Sequence, residues 1–212
     1  MPTTVHHPIF ARFYARLAQA SDSMLARHRT ELLAPALGRV VEVGAGSGSN
    51  FARYPTTVES VLALEPEPYL RDAAEVAAGH ASMPIEVRDA VAEELPVETG
   101  SVDAVVFSLV LCSIGDVAAA LSEARRVLRP GGSVLFYEHV VAPTRRLAAV
   151  QRGVDHVWPH LFGGCHAARD TVTALEAAGF EDLTFRRLHL DVAHMPTPVS
   201  PHVLGRAVSP GR

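Results

Sequence analysis

The stretch Val40-Val41-Glu42-Val43-Gly44-Ala45-Gly46-Ser47-Gly48-Ser49-Asn50 constrains this chain more than any other. A β-branched run closes on an acid and gives way to three glycines alternating with small residues. Such a run reads as a buried parallel strand, and the glycines as a sharp turn whose backbone N–H groups face a ligand. Ser49 and Asn50 are good helix caps, so the pattern predicts a helix starting there, with the loop seated on its N-terminus. The Gly-x-Gly-x-Gly spacing differs from the Gly-x-Gly-x-x-Gly of dinucleotide folds, where the third glycine packs helix against strand.

Beyond the loop, Val58 to Glu65 reads as a second strand ending in an acid. In a βαβ unit this places Glu65, with Pro66 behind it, beside the glycines, where a carboxylate accepts both hydroxyls of a ribose. An alanine-rich helix over Pro68 to His80 leads to a short strand, Ile85 to Ala90, with Asp89 at its C-terminal end. Val102 to Leu111 reads as a long buried strand. Gly115-Asp116 opens a helix whose inner face is Leu121, Ala124, Val127 and Leu128, stopped by Arg129-Pro130-Gly131-Gly132. Ser133 to Glu138 is a fifth strand. Strands separated by helices mean an α/β fold with a doubly wound parallel sheet, which binds ligands at the C-terminal ends of its strands.

The flanks read differently. Ile9 to Leu33 has helical spacing broken at Ser21-Asp22-Ser23, so residues 1–38 form a helical arm ahead of a single domain over 39–212. Packing on the domain, covering the ligand site as a lid and lying on a membrane surface are all open to such an arm. Thr144 to Trp158 and Asp170 to Ala178 read as helices, and Leu183 to Leu190 and Val203 to Val208 as strands. With 48% hydrophobic residues, 212 residues bury one full core. A net charge of −4 without a basic stripe excludes a general nucleic-acid binder. No apolar run approaches the roughly 20 residues that cross a bilayer, and the polar start carries no signal-peptide pattern. The expectation is a cytoplasmic enzyme. Cys112 and Cys165, far apart in sequence, suggest no disulfide framework.

Together, Glu42 to Gly48, Glu65, Asp89 and Arg126-Val127-Leu128-Arg129-Pro130-Gly131-Gly132 resemble the class I S-adenosylmethionine-dependent methyltransferases. The resemblance implies a Rossmann-like seven-stranded sheet with its last strand, Val203 to Val208, antiparallel, and S-adenosyl-L-methionine as cofactor. It further implies that Gly44, Gly46 and Gly48 let the backbone approach the methionine and ribose, with Glu42 nearby. Glu65 would hold the ribose hydroxyls, Asp89 and Ala90 the adenine edge, and Ser108 and Leu109 the methionine side. Many members carry Asp where this chain has Glu42.

Within that superfamily the chain is most similar to the small alkyl thiol S-methyltransferases. Leu109 to Ser113, Glu138-His139-Val140, Trp158 with His160, Gly164-Cys165, and Pro201-His202 with Gly205 carry the likeness. The similarity spans about Gly38 to Val208 and implies a small-molecule thiol as methyl acceptor. The hydrophobic N-terminal anchor of the animal members has no counterpart here, so membrane attachment is not carried over. His166 stands where a second cysteine is expected. Phospholipid and quinone methyltransferases share the glycine loop and the Arg-Pro-Gly-Gly turn, which keeps N-, O- or C-methylation of a lipid headgroup or quinone as the alternative.

Methyl transfer from a sulfonium is an in-line displacement, so the protein mainly supplies alignment and a dry site. A thiol of pKa about 8.5 needs roughly 2 kcal/mol to ionise at pH 7, and a phenol near 10 about 4 kcal/mol. Histidines are the candidate bases. His139 follows the fifth strand at the ligand-binding edge and ranks first; His160 and His166 flank the Phe162-Gly163-Gly164-Cys165 turn and line the acceptor side. His156 and His160 have a helical metal spacing, but Pro159 breaks the helix between them and no partner completes a set, so no metal site is expected. Cys165 is open to three readings: a nucleophile, an acceptor contact or a small buried turn residue.

Overall fold

The computed structural model describes residues 25–190 and 197–211. Seven strands form one sheet: β1 (Gly38–Val43), β2 (Val58–Leu64), β3 (Ile85–Arg88), β4 (Val102–Ser108), β5 (Leu128–His139), β6 (Glu181–His189) and β7 (Pro201–Val208). Their order is β3-β2-β1-β4-β5-β7-β6. β1 to β5 run parallel, while β7 is antiparallel to both β5 and β6. The strand order reverses between β1 and β4, and that switch point is where open α/β sheets take ligands. The expected seven-stranded Rossmann-like sheet with its last strand antiparallel is the fold observed.

Alternating side chains of the central strands feed two cores. Val41, Val43, Val105, Phe107, Val134 and Phe136 face one side with α3 (Val117–Val127) and α6 (Thr171–Ala177). Val40, Ala104, Val106, Leu135 and Tyr137 face the other, under a helix over 25–33 (α1) and α2 (Pro68–Ala78). Caps start α2, α3 and α6: the carboxylates of Glu67, Asp116 and Asp170 accept from the N–H of Leu70, Ala119 and Thr173. Leu121, Ala124, Val127 and Leu128 are buried as the spacing predicts.

Of the arm expected over Ile9–Leu33, only 25–33 lies within the described residues, and the break at Ser21–Ser23 lies outside them. This described part of the arm, α1, packs on the domain, with Leu32 and Leu33 fully buried. The helix expected from Ser49 or Asn50 does not form. The chain makes a single 3-10 turn, Phe51–Arg53, which Asn50 does not cap with its side chain and which Tyr54-Pro55 ends. Three residues before a proline leave no room for an α-helix, whose register would put residue 54 in the disfavoured pre-proline conformation. β4 ends at Ser108, short of the expected Leu111, because Leu109 adopts φ 58 and turns the chain. β6 is a largely exposed edge strand carrying Arg186 and Arg187, charges that discourage further strand pairing.

Candidate active site

The glycine loop is held from both sides of the switch point. Gly44, Gly46 and Gly48 take φ values of 67, 57 and 78°, a region closed to most side chains. A Cβ on Gly44 would fall 2.2 Å from Val110 Cγ2, so the loop after β1 lies directly against the loop after β4. Gly46 N–H donates to Glu65 Oε2 at 2.8 Å, and Glu67 N–H donates to Glu65 Oε1 at 3.0 Å. Burial raises the Glu65 pKa, only partly offset by those two donors. An ionised carboxylate accepts about four hydrogen bonds, so Glu65 keeps two acceptor positions beyond its backbone partners. Arg71 ties the neighbouring ends together, donating to the carbonyls of Glu65 and Pro66 and lying 3.5 Å from Asp89. Asp89 sits just past β3 with its side chain 67% exposed, next to half-buried Ala90.

Glu42 is buried and engaged from within. Asn50 Nδ2 donates to Oε1 at 2.8 Å, Tyr54 O–H donates to Oε2 at 2.7 Å, and Arg29 of α1 reaches Asn50 Oδ1 at 3.2 Å. Burial raises the Glu42 pKa against these hydrogen bonds. The acid thus braces the underside of the loop, a role that spacing alone did not suggest.

Across the switch point, Glu138 Oε1 accepts from the N–H of Val110 and Leu111 at 2.9 and 3.0 Å, which supports the left-handed Leu109. Burial lifts the Glu138 pKa to about 7, and its Oε2 is buried without a partner, as is Ser108 Oγ. The next residue, His139, is buried with Nε2 3.0 Å from Cys165 Sγ and Nδ1 unpartnered. Cys112 completes a cluster in which one ligand atom from each of Cys112, His139 and Cys165 lies within 4.8 Å of the others. Both cysteines are free thiols. The Cys165 thiol is acidified by a hydrogen bond from Cys112 and then by His139, against burial, while the Cys112 thiol is pushed up by the same bond, burial and the Glu138 charge.

Distant segments build this cluster. His166 N–H donates to the Cys112 carbonyl at 2.8 Å, and left-handed Gly163 and Gly164 turn the chain so that Cys165 meets the β4 loop. Gln151 of α4 (Arg145–Val154) is wholly buried; its Oε1 accepts from Ala142 N–H, and its Nε2 donates to the carbonyls of Val140, Ala167 and Pro198. The other two candidate histidines are apart from it. His160 is exposed on α5 (Trp158–Leu161), and His166 Nδ1 contacts Asp155 Oδ2 at 2.9 Å. His202 stacks on Tyr137 and lies edge-on to His139 at 6.2 Å, with its pKa lowered to about 4 by burial. No signal in the sequence marked Cys112 or Gln151 as site residues, and the expectation of no metal-ligand set did not foresee Cys112 beside His139 and Cys165.

A methyltransferase-domain family profile matches residues 41–136. The human thiol S-methyltransferase TMT1B is 37% identical over 212 residues, covering 94% of this chain and 85% of the human protein. The chain belongs to the TMT1 family of S-adenosylmethionine-dependent methyltransferases. Human TMT1A is 37% identical over 175 residues, covering 80% of this chain and 70% of that protein. Solved structures share the fold at low identity. A S-adenosylmethionine-dependent methyltransferase of Thermotoga maritima aligns with a TM-score of 0.67 at 19% identity, covering 95% of this chain and 98% of that one. The [4+2]-cyclase SpnF aligns with 0.67 at 20%, covering 92% and 82%. A cyclase among such neighbours is a reminder that fold alone does not set chemistry.

S-adenosylmethionine is the methyl donor of this TMT1-family enzyme. The residues present fit it: a turn of left-handed glycines at the switch point, a buried carboxylate with spare acceptor capacity, and an unpartnered Ser108 hydroxyl at the end of β4. When bound, this donor supplies an electrophilic methyl on a sulfonium. Among the described residues, no helix is long and apolar enough to cross a membrane.

Proposed function

We propose that the protein transfers a methyl group from S-adenosylmethionine to the sulfur of a small thiol. The observation that carries this reading is the cluster of Cys112, His139 and Cys165, on the same β4 loop whose Val110 lies against Gly44 of the glycine loop. Human TMT1A and TMT1B, which bear the thiol S-methyltransferase name, support it. A thiol suits such a cluster, because ionising it at neutral pH costs about 2 kcal/mol less than ionising a phenol. We assign the backbone of Gly44, Gly46 and Gly48 to the approach of the donor, and Glu65 with Pro66 to the ribose. Asp89 and Ala90 take the adenine edge, Ser108 and Leu109 the methionine side. Glu42 acts through Asn50 and Tyr54 as a positioning residue. Of the three candidate histidines, His139 is the one that meets the acceptor; His160 and His166 stand outside the cluster.

Incubation with methyl-labelled S-adenosylmethionine and a panel of aliphatic thiols, dithiols, phenols, quinols and phosphatidylethanolamine tests the reading. Label in a methyl thioether is the expected result. Label in a phenol ether, quinol or headgroup amine with none in a thioether would overturn it in favour of O-, C- or N-methylation.

A further inference from the structure

We propose that Cys112, His139 and Cys165 form a zinc site with an open fourth position, and that the acceptor thiol binds there as a thiolate. In a tetrahedral zinc centre with Zn–S near 2.3 Å and Zn–N near 2.0–2.1 Å, neighbouring ligand atoms stand about 3.6–3.8 Å apart. The three ligand atoms here already lie within 4.8 Å of one another, and His139 Nε2 is 3.0 Å from Cys165 Sγ. Adjustments of about an ångström complete the set. Two thiolates and one imidazole are the ligand set of a catalytic zinc that keeps a place for substrate. Soft sulfur ligands also select zinc over magnesium or calcium.

The surroundings favour a cation. Glu138, next in sequence to His139, is fully buried with one carboxylate oxygen unpartnered, an acid that a divalent ion nearby would favour. A divalent ion cancels the charge of both sulfurs. The ligands are also held in advance: Cys112 by the β4 turn and Arg169, which donates to the carbonyls of Cys112 and Ile114, and Cys165 by the glycine turn. Cys165 is the partly exposed member, which leaves the ion reachable from its side.

The chemistry balances. Zinc entry releases the protons of Cys112 and Cys165 to solvent. The acceptor R–SH displaces a zinc-bound hydroxide, which carries off the thiol proton as water. The thiolate sulfur then bonds the methyl carbon as the sulfonium carbon–sulfur bond breaks, and the neutral thioether leaves the metal.

The identity of the fourth ligand rests on the thiol reading; the metal site does not. The test uses the full chain, reduced and stripped of metal. Zinc is titrated against a chromophoric chelator, and cobalt(II) is added as a spectroscopic probe. The expected result is about one ion per chain, with a thiolate-to-cobalt charge-transfer band and the strong visible bands of a tetrahedral ion. Cys112→Ser, Cys165→Ser and His139→Ala should each weaken binding at least about tenfold, while exposed His156→Ala leaves it unchanged. Failure of the wild-type chain to take up zinc, or a cobalt spectrum without thiolate bands, would overturn the site whatever the variants do. Addition of a small thiol should shift the cobalt bands; unshifted bands would overturn the open position. Thiol methylation by metal-free protein at the full rate would sink the zinc proposal and leave the proposed activity standing. Zinc binding without thiol methylation would do the reverse.

Discussion

The two halves of the site, on either side of the β1/β4 switch point, are built by different means. The half we assign to the donor is largely backbone: three left-handed glycines, two N–H groups on the Glu65 carboxylate, and strand-end carbonyls gathered by Arg71. Its parts lie close together in sequence, between Gly44 and Arg71. The half we assign to the acceptor is made of side chains from the β4 loop, the end of β5 and the turn before α6, pinned by Gln151. A backbone site tolerates few residue types and leaves a local pattern. A side-chain site exists only when remote loops meet, so a change in one loop can dismantle it while the donor half survives.

Substitutions can break this division or sharpen it. Glu65→Ala removes both backbone partnerships and the acceptors assigned to the ribose, and should lower S-adenosylmethionine affinity on the order of a hundredfold by calorimetry. Unchanged affinity would contradict the ribose assignment. His139→Ala should act on the other half alone, cutting thiol turnover about a hundredfold at nearly unchanged donor affinity. His160→Ala and His166→Ala should cost turnover less than His139→Ala, since neither ring joins the cysteines. If either costs more in steady-state kinetics, the acceptor lies nearer α5 than His139.

Gln151→Leu strands buried carbonyls of three segments and should lower unfolding free energy by about 3 kcal/mol in urea melts. Losses there should raise the acceptor KM before they touch donor binding. Gly44→Ala tests the seam. A methyl pressed against Val110 in a left-handed residue should cost about 1–3 kcal/mol and depress donor affinity and turnover together. If only one of the two falls, the halves are less coupled than the contact implies.

The smallest effect expected concerns Glu42. An acid whose folded pKa is raised contributes stability below its unfolded value, here 4.5, and loses it as pH rises through the folded value. Glu42 should therefore make the thermal midpoint fall as pH climbs above 4.5, and Glu42→Gln should flatten that fall in calorimetric scans at several pH values.

The sequence by itself determined the sheet, the switch point and the glycine loop. Continuous hydrophobic strand runs, the glycine run and the acid after β2 are each local in sequence. It misjudged the element after the glycine loop, because cap residues at Ser49 and Asn50 cannot offset a proline at 55. Tertiary structure alone decided the rest. It turned Glu42 inward to Asn50 and Tyr54, separated His139 from His160 and His166, and brought Cys112 to Cys165 across more than fifty residues. No periodicity encodes that meeting; it follows from loop packing at the ends of β4 and β5, where hydrogen bonds between sequence-distant segments set which side chains touch.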